Sequence, residues 1–284
     1  MSPMRIVVGF KVTPDYEALR PADWARLAAA GGPAERAEAA RYVRRVLGVF
    51  DEAALELALR LRDARADHGL PTSLAACTVG GREAVPFLAT LQALGFACAR
   101  VDPGDAAADG GLDFAPTATA ALVAACAQRL GGDVLLLGER GSPGGSGTVP
   151  FLAAEALGRP CVTGVTSLEP AEYERLRVTF TADDGPARAV AVPPCVLAVG
   201  NAVVSMVRVP TLKERLTVRD HPVAEYTAAD LGVDVGALLA GSPALTSLEP
   251  IDRRRSGVVV PGGTPAEKAR ALYDGHLRPR LEQP

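Results

Sequence analysis

DVLLLGERGSPGGSGTVPFLAAEALGRPCVTGV, residues 133–165, carries a buried-strand pattern that breaks into a glycine-rich loop and then opens a helix. Residues 134–137 form a continuous apolar run stopped by Gly138, the pattern of a parallel strand covered on both faces. The loop falls at the carboxyl end of that strand, where open α/β sheets bind ligands and helix N-termini present N–H groups to phosphate. Gly144, Gly145, Ser146, Gly147 and Thr148 allow close backbone approach and offer two hydroxyls, yet match neither GxxxxGK[ST] nor GxGxxG. A nucleotide is suggested, but not a P-loop enzyme. The plainer alternative is a flexible connection whose glycines only set turns.

Outward from this stretch the chain alternates short apolar runs with amphipathic segments, the order of βαβ units. Strands are predicted at 5–10, 74–79, 97–101, 161–167 and 195–199, the last of these the final apolar strand, and helices at 51–66, 84–94, 117–130 and 149–157. Residues 173–180 and 187–192 read as a two-stranded hairpin, with Asp183, Asp184 and Gly185 as its turn. The predicted fold is therefore α/β, a mainly parallel sheet with helices on both faces over residues 1–234. Residues 18–47 are a helix-rich insertion, and residues 235–284 a C-terminal arm of loops ending in a helix. Thr264, Pro265 and Glu267 announce that helix as a capping box, and residues 257–260 look able to form a strand.

Composition narrows the function classes. With 284 residues and 48% hydrophobic content, the chain can bury one substantial core. A net charge of −3 and the lack of a basic face argue against nucleic acid. Cys77, Cys98, Cys126, Cys161 and Cys195 stand singly in apolar stretches, as core residues of a reducing compartment. His68, His221 and His276 are far apart, so no metal site is expected. No run is long enough to span a bilayer or serve as a signal peptide, which points to a cytoplasmic protein without membrane insertion.

Several segments, taken in order, resemble the small (beta) subunit of electron-transfer flavoproteins: IVVGFKVTPDY, FDEAALELALRLRD, ACTVGG, the loop stretch, PPCVLAVGNAVVSMVRVPTLKERL, TAADLGVD and SGVVVPGGTPAEKARAL. The resemblance covers nearly the whole chain. It implies a HUP-type (adenine-nucleotide alpha-hydrolase-like) fold whose arm wraps a large (alpha) subunit. It also implies a non-enzymatic role: a heterodimer shuttling electrons from a dehydrogenase to a quinone oxidoreductase, with FAD mostly on alpha and AMP in this chain. A bifurcating-type subunit with its own FAD, and a nucleotide-binding scaffold or sensor without electron transfer, are the alternatives.

Carried over by the resemblance, Gly9 and Phe10 close the first strand against adenine, Thr78 and Val79 line the same pocket, and Gly138, Gly144, Gly145, Ser146, Gly147 and Thr148 surround ribose and phosphate. Tyr16 and Phe50 fall where the beta subunit approaches the alpha-bound flavin. Phe50 also reads as a hydrophobic staple ahead of Asp51 as helix cap. Three departures stand out. Pro143, Gly144 and Gly145 replace the family's loop acids and Thr148 its glutamine, which removes acceptors for ribose hydroxyls. The insertion, with Trp24, replaces a short hairpin. The docking loop reads Val209, Pro210, Thr211, Leu212, Lys213, Glu214, Arg215 with both charge signs, which predicts a dedicated donor.

Overall fold

The alternation of apolar runs and amphipathic segments folds into strands and helices in the same order. A computed structural model of the chain describes residues 3–31, 35, 38–104, 112–142, 144–172, 174–242 and 257–282. The elements are β1 (Met4–Gly9), β2 (Val12–Pro14), α1 (Pro21–Ala29), β3 (Arg45–Leu47), α2 (Val49–Asp67), β4 (Thr72–Val79), α3 (Val85–Ala93), β5 (Phe96–Asp102), α4 (Pro116–Arg129), β6 (Val134–Gly138) and α5 (Val149–Leu157). They continue with β7 (Cys161–Pro170), β8 (Leu176–Ala182), β9 (Gly185–Ala191), β10 (Cys195–Val199), α6 (Leu212–Thr217), β11 (Ala224–Thr227), α7 (Val235–Ala240), α8 (Pro265–Leu272), a π-turn at Tyr273–Leu277 and α9 (Arg278–Leu281).

Nine strands form one sheet in the order β11-β5-β4-β1-β6-β10-β7-β8-β9. Every pairing from β11 to β7 is parallel, and β8 and β9 extend that edge as an antiparallel hairpin. The central strands feed two cores by strict alternation: Val134 and Leu136 of β6 face one side, Leu135 and Leu137 the other. Helices α2 and α3 cover the first face, with Leu55, Leu59 and Leu61 of α2 fully buried, each stabilising the fold by about 2 kcal/mol. Helices α4, α5 and α7 cover the second. The α/β class with helices on both faces is thus the observed one.

Two readings change. Residues 195–199 are not the last strand, because β11 pairs in parallel with β5 at the far edge. Residues 257–260, expected as a strand, are irregular, since extended backbone becomes a strand only beside a laddered neighbour and none is present among the described residues of that unit. The chain divides into two compact units, Met1–Leu248 and Glu249–Pro284. α7 belongs to the first, with Val235 buried in its second core. In the second unit, Thr264 caps α8 by accepting the Glu267 N–H at 3.3 Å, while Glu267 accepts the Gly263 and Thr264 N–H groups in return. Leu272 at the end of α8, Tyr273 and Leu277 in the π-turn and Leu281 in α9 are exposed. Arg253, Arg254 and Arg255, a basic run of the sequence, lie outside the described residues.

The insertion does not remove a hairpin but interrupts one. β2 and β3 pair as an antiparallel ribbon, and α1 stands between them in sequence.

Candidate functional site

From β1 the chain winds to one side through β4 and β5, then crosses back to place β6 on the other side of β1. The helices change face at this step, α2 and α3 against one side and α4 and α5 against the other. The gap between the carboxyl ends of β1 and β6 is therefore the topological switch point, where open sheets offer a ligand crevice.

Asp51 occupies the floor of that gap. The helix cap is Gly48 rather than Asp51, and Asp51 lies inside the first turn of α2 with only 6% of its surface exposed. The Lys11 N–H, just past β1, donates to its carboxylate at 3.2 Å, and the Gly138 N–H, at the end of β6, does the same. Two glycines make the space: a Cβ at Gly48 would stand 2.9 Å from Asp51 Oδ2, and one at Gly138 would collide with Oδ1. Burial pushes the Asp51 carboxyl up to about 7, against the pull of those N–H groups and of the Lys11 ammonium. That ammonium is itself paired with Asp113 at 2.8 Å. The sequence alone marks this residue as no more than a helix cap, because nothing local shows that glycines at 48 and 138 converge on it.

The glycine-rich loop begins at the β6 end of the same gap. Gly144, Gly145 and Gly147 adopt φ of 94°, 53° and 68°, a left-handed path that side chains disfavour. Ser146 and Thr148 lie in an exposed turn with their hydroxyls 3.0 Å apart. Thr148 ends at α5 without capping it, so the first N–H groups of that helix are left for solvent or an anion. Pro143 lies outside the described residues.

The residues carried over for adenine sit differently from one another. A Cβ on Gly9 would meet Leu137 Cδ2 at 2.5 Å, and Phe10 is buried in the α2-side core. Thr78 is buried at the end of β4 while Val79 is half-buried beside it. Tyr16, just past β2, stacks on Trp24 of α1 with ring centroids 5.9 Å apart. Phe50 is half-buried in the first turn of α2.

The segment that the resemblance assigns to docking lies elsewhere. Val209 and Leu212 are exposed, Leu212 at 73%, with Val203, Met206 and Leu216 also exposed. Lys213 and Arg215 are exposed and Pro210 is buried. Arg208, which sequence reasoning missed, anchors the segment: its guanidinium reaches both carboxylate oxygens of Glu56 and donates to Asp63 at 2.7 Å. Thr211 and Glu214 then form a reciprocal capping box that starts α6. A visible clue was Glu56 itself, an acid set in the apolar run ALELAL.

Among the described residues no cluster of three or more metal-ligating side chains occurs, and no helix is long and apolar enough to cross a membrane. A family model described as electron transfer flavoprotein domain matches residues 39–245. A protein of Escherichia coli (strain K12), provisionally named electron transfer flavoprotein subunit YgcR, is 31% identical over 283 residues, 98% of this chain and 100% of its own length. The electron transfer flavoprotein subunit beta of Mycobacterium leprae (strain TN) is 28% identical over 208 residues, 71% of this chain and 75% of its own.

Proposed function

The chain belongs to the electron transfer flavoprotein family, whose members carry electrons rather than catalyse a reaction, and we propose that it is the beta-type subunit of a cytoplasmic heterodimer holding one adenine nucleotide in the β1/β6 crevice. The observation that carries this reading is the joining, at the switch point, of a left-handed glycine loop and an uncapped helix start. Those groups fit a phosphate. Beyond Glu139 the loop carries no carboxylate, so ribose hydroxyls would meet Ser146, Thr148 and backbone instead.

FAD, held mainly by an alpha-type partner, supplies the one-electron chemistry when bound. In this reading Tyr16 and Phe50 face its edge, and the arm with Leu272, Leu277 and Leu281 lies on the partner. The segment Val209, Leu212, Lys213 and Arg215, braced by Arg208, docks one dedicated dehydrogenase, and the electrons pass on to a quinone oxidoreductase.

The test is to purify the tagged chain with its partner from the native host, denature the complex and quantify released nucleotides. One FAD with one AMP per heterodimer supports the carrier. Two FAD would replace it with a bifurcating-type subunit, and AMP without a flavin partner with a nucleotide-binding scaffold.

A further inference from the structure

The crevice floor is a carboxylate, an unexpected group beneath a phosphate site. Asp51 lies between the ends of β1 and β6, held by the Lys11 N–H at 3.2 Å and walled by Gly48 and Gly138. The charged groups on the elements around it are few. Lys11 is paired with Asp113, Glu52 is its neighbour on α2, and Glu139, next after Gly138, stands 4.0 Å from Arg140. No ion pair reaches Asp51 directly among the described residues.

We propose that Asp51 is a proton-linked positioning residue of this crevice: a phosphate-bearing adenine nucleotide binds with uptake of one proton onto Asp51. The inference rests on the nucleotide reading above. Asp51 bonds the backbone of the β1 exit and the β6 exit together, so its proton state bears on the frame that holds the ligand. A phosphate dianion brought to the same edge adds negative charge near a buried carboxyl and favours its neutral form. The free carboxyl already titrates at about 7, so little added charge is needed to move it across the working range. By linkage, whatever raises the proton affinity of Asp51 on binding must weaken binding as the proton is lost. Below about pH 6.5 the floor is neutral with or without ligand. Above about pH 7 the free form is ionised and the bound form neutral, so the apparent Kd for AMP rises toward about tenfold per pH unit. The phosphate itself, with a second ionisation near pH 6, is already a dianion over that window.

The experiment titrates the full chain, stripped of nucleotide, with AMP by calorimetry between about pH 7 and 8.5, in two buffers of different ionisation heat at each pH. Uptake of close to one proton per AMP near pH 8 is expected, lost together with the slope of Kd in Asp51→Asn. If that variant folds poorly, the unmodified protein still decides: AMP added near pH 8 should raise the infrared carbonyl band of a protonated carboxylic acid, to which histidine does not contribute. AMP bound with no proton uptake and a flat Kd would overturn the linkage and leave the nucleotide site standing. A folded Asp51→Asn that keeps the slope would overturn it by placing the proton elsewhere. No AMP binding at any pH would remove both the linkage and the nucleotide reading.

Discussion

Asp51 and Glu56 stand five positions apart on α2, leave similarly little surface exposed, 6% and 5%, and are shifted in opposite directions, with the Asp51 carboxyl the more deeply enclosed. Burial pushes both carboxyls up. At Asp51 backbone N–H groups and a pre-engaged ammonium answer it, and the carboxyl stays high, at about 7. At Glu56 hydrogen bonds from the Arg208 and Arg60 guanidiniums overcome the burial and hold the carboxyl below its ordinary range. Five residues carry a helix through one full turn and about 140° more, so one acid faces the crevice and the other the segment held by Arg208. The deeper enclosure of Asp51 and the guanidinium partners of Glu56 together set the two directions. A carboxylate that keeps its proton near neutrality suits a site that must respond. One locked as an anion suits a brace that must not.

The largest expected effect removes the first half of this contrast. The folded pKa of Asp51 lies above the unfolded one, so its stabilisation is complete below about pH 4 and is lost as pH rises through about 7. A shift from 3.8 to about 7 corresponds to roughly 4 kcal/mol of stability lost over that interval. Chemical denaturation at stepped pH should show the wild type losing stability relative to Asp51→Asn by that order between about pH 4 and 7, and parallel profiles for the two would end the argument. Next in size is Arg208→Ala, which leaves Glu56 buried with Arg60 alone. We expect a loss of about 2–3 kcal/mol, read as a lower urea midpoint, with faster tryptic cleavage at Lys213 and Arg215. A loss below about 0.5 kcal/mol would mean that Arg208 is not the brace.

How much of this the sequence discloses follows from the range over which each feature is encoded. The parallel strands and the helices α2, α4 and α5 are legible because burial on two faces, or along one stripe, writes a local apolar pattern. β11 is not: AEYT alternates half-buried and exposed at a sheet edge and resembles a loop. The glycine loop was visible as a loop, and its left-handed path agrees with its composition. Asp51 and Arg208 were invisible as site elements because each depends on distant residues. Asp51 needs Gly138, and Arg208 needs Glu56 at a separation of 152 positions. A helix-start acid normally faces solvent, and only the convergence of two glycines buries this one.

Two smaller changes sharpen the contrast. Arg60→Ala removes the more exposed of the two guanidiniums on Glu56, an i,i+4 contact at 3.1 Å. It should cost only about 0.5 kcal/mol, because Arg208 keeps the carboxylate ionised. An effect as large as that of Arg208→Ala would show that the brace is shared equally. The smallest expected effect comes from Lys11→Met, which deletes the ammonium drawing Asp51 down but keeps the backbone N–H that bonds it. Lys11 is partly exposed and engaged with Asp113, so solvent and that partner already screen its charge. The neutral-pH limb of the stability profile should therefore move upward by less than about one pH unit. The acid limb, where Glu56 loses its charge as pH falls through its lowered pKa, should stay in place. If the acid limb moved instead, the two carboxylates would be coupled through α2 rather than set separately by their own partners, and the contrast between them would fail.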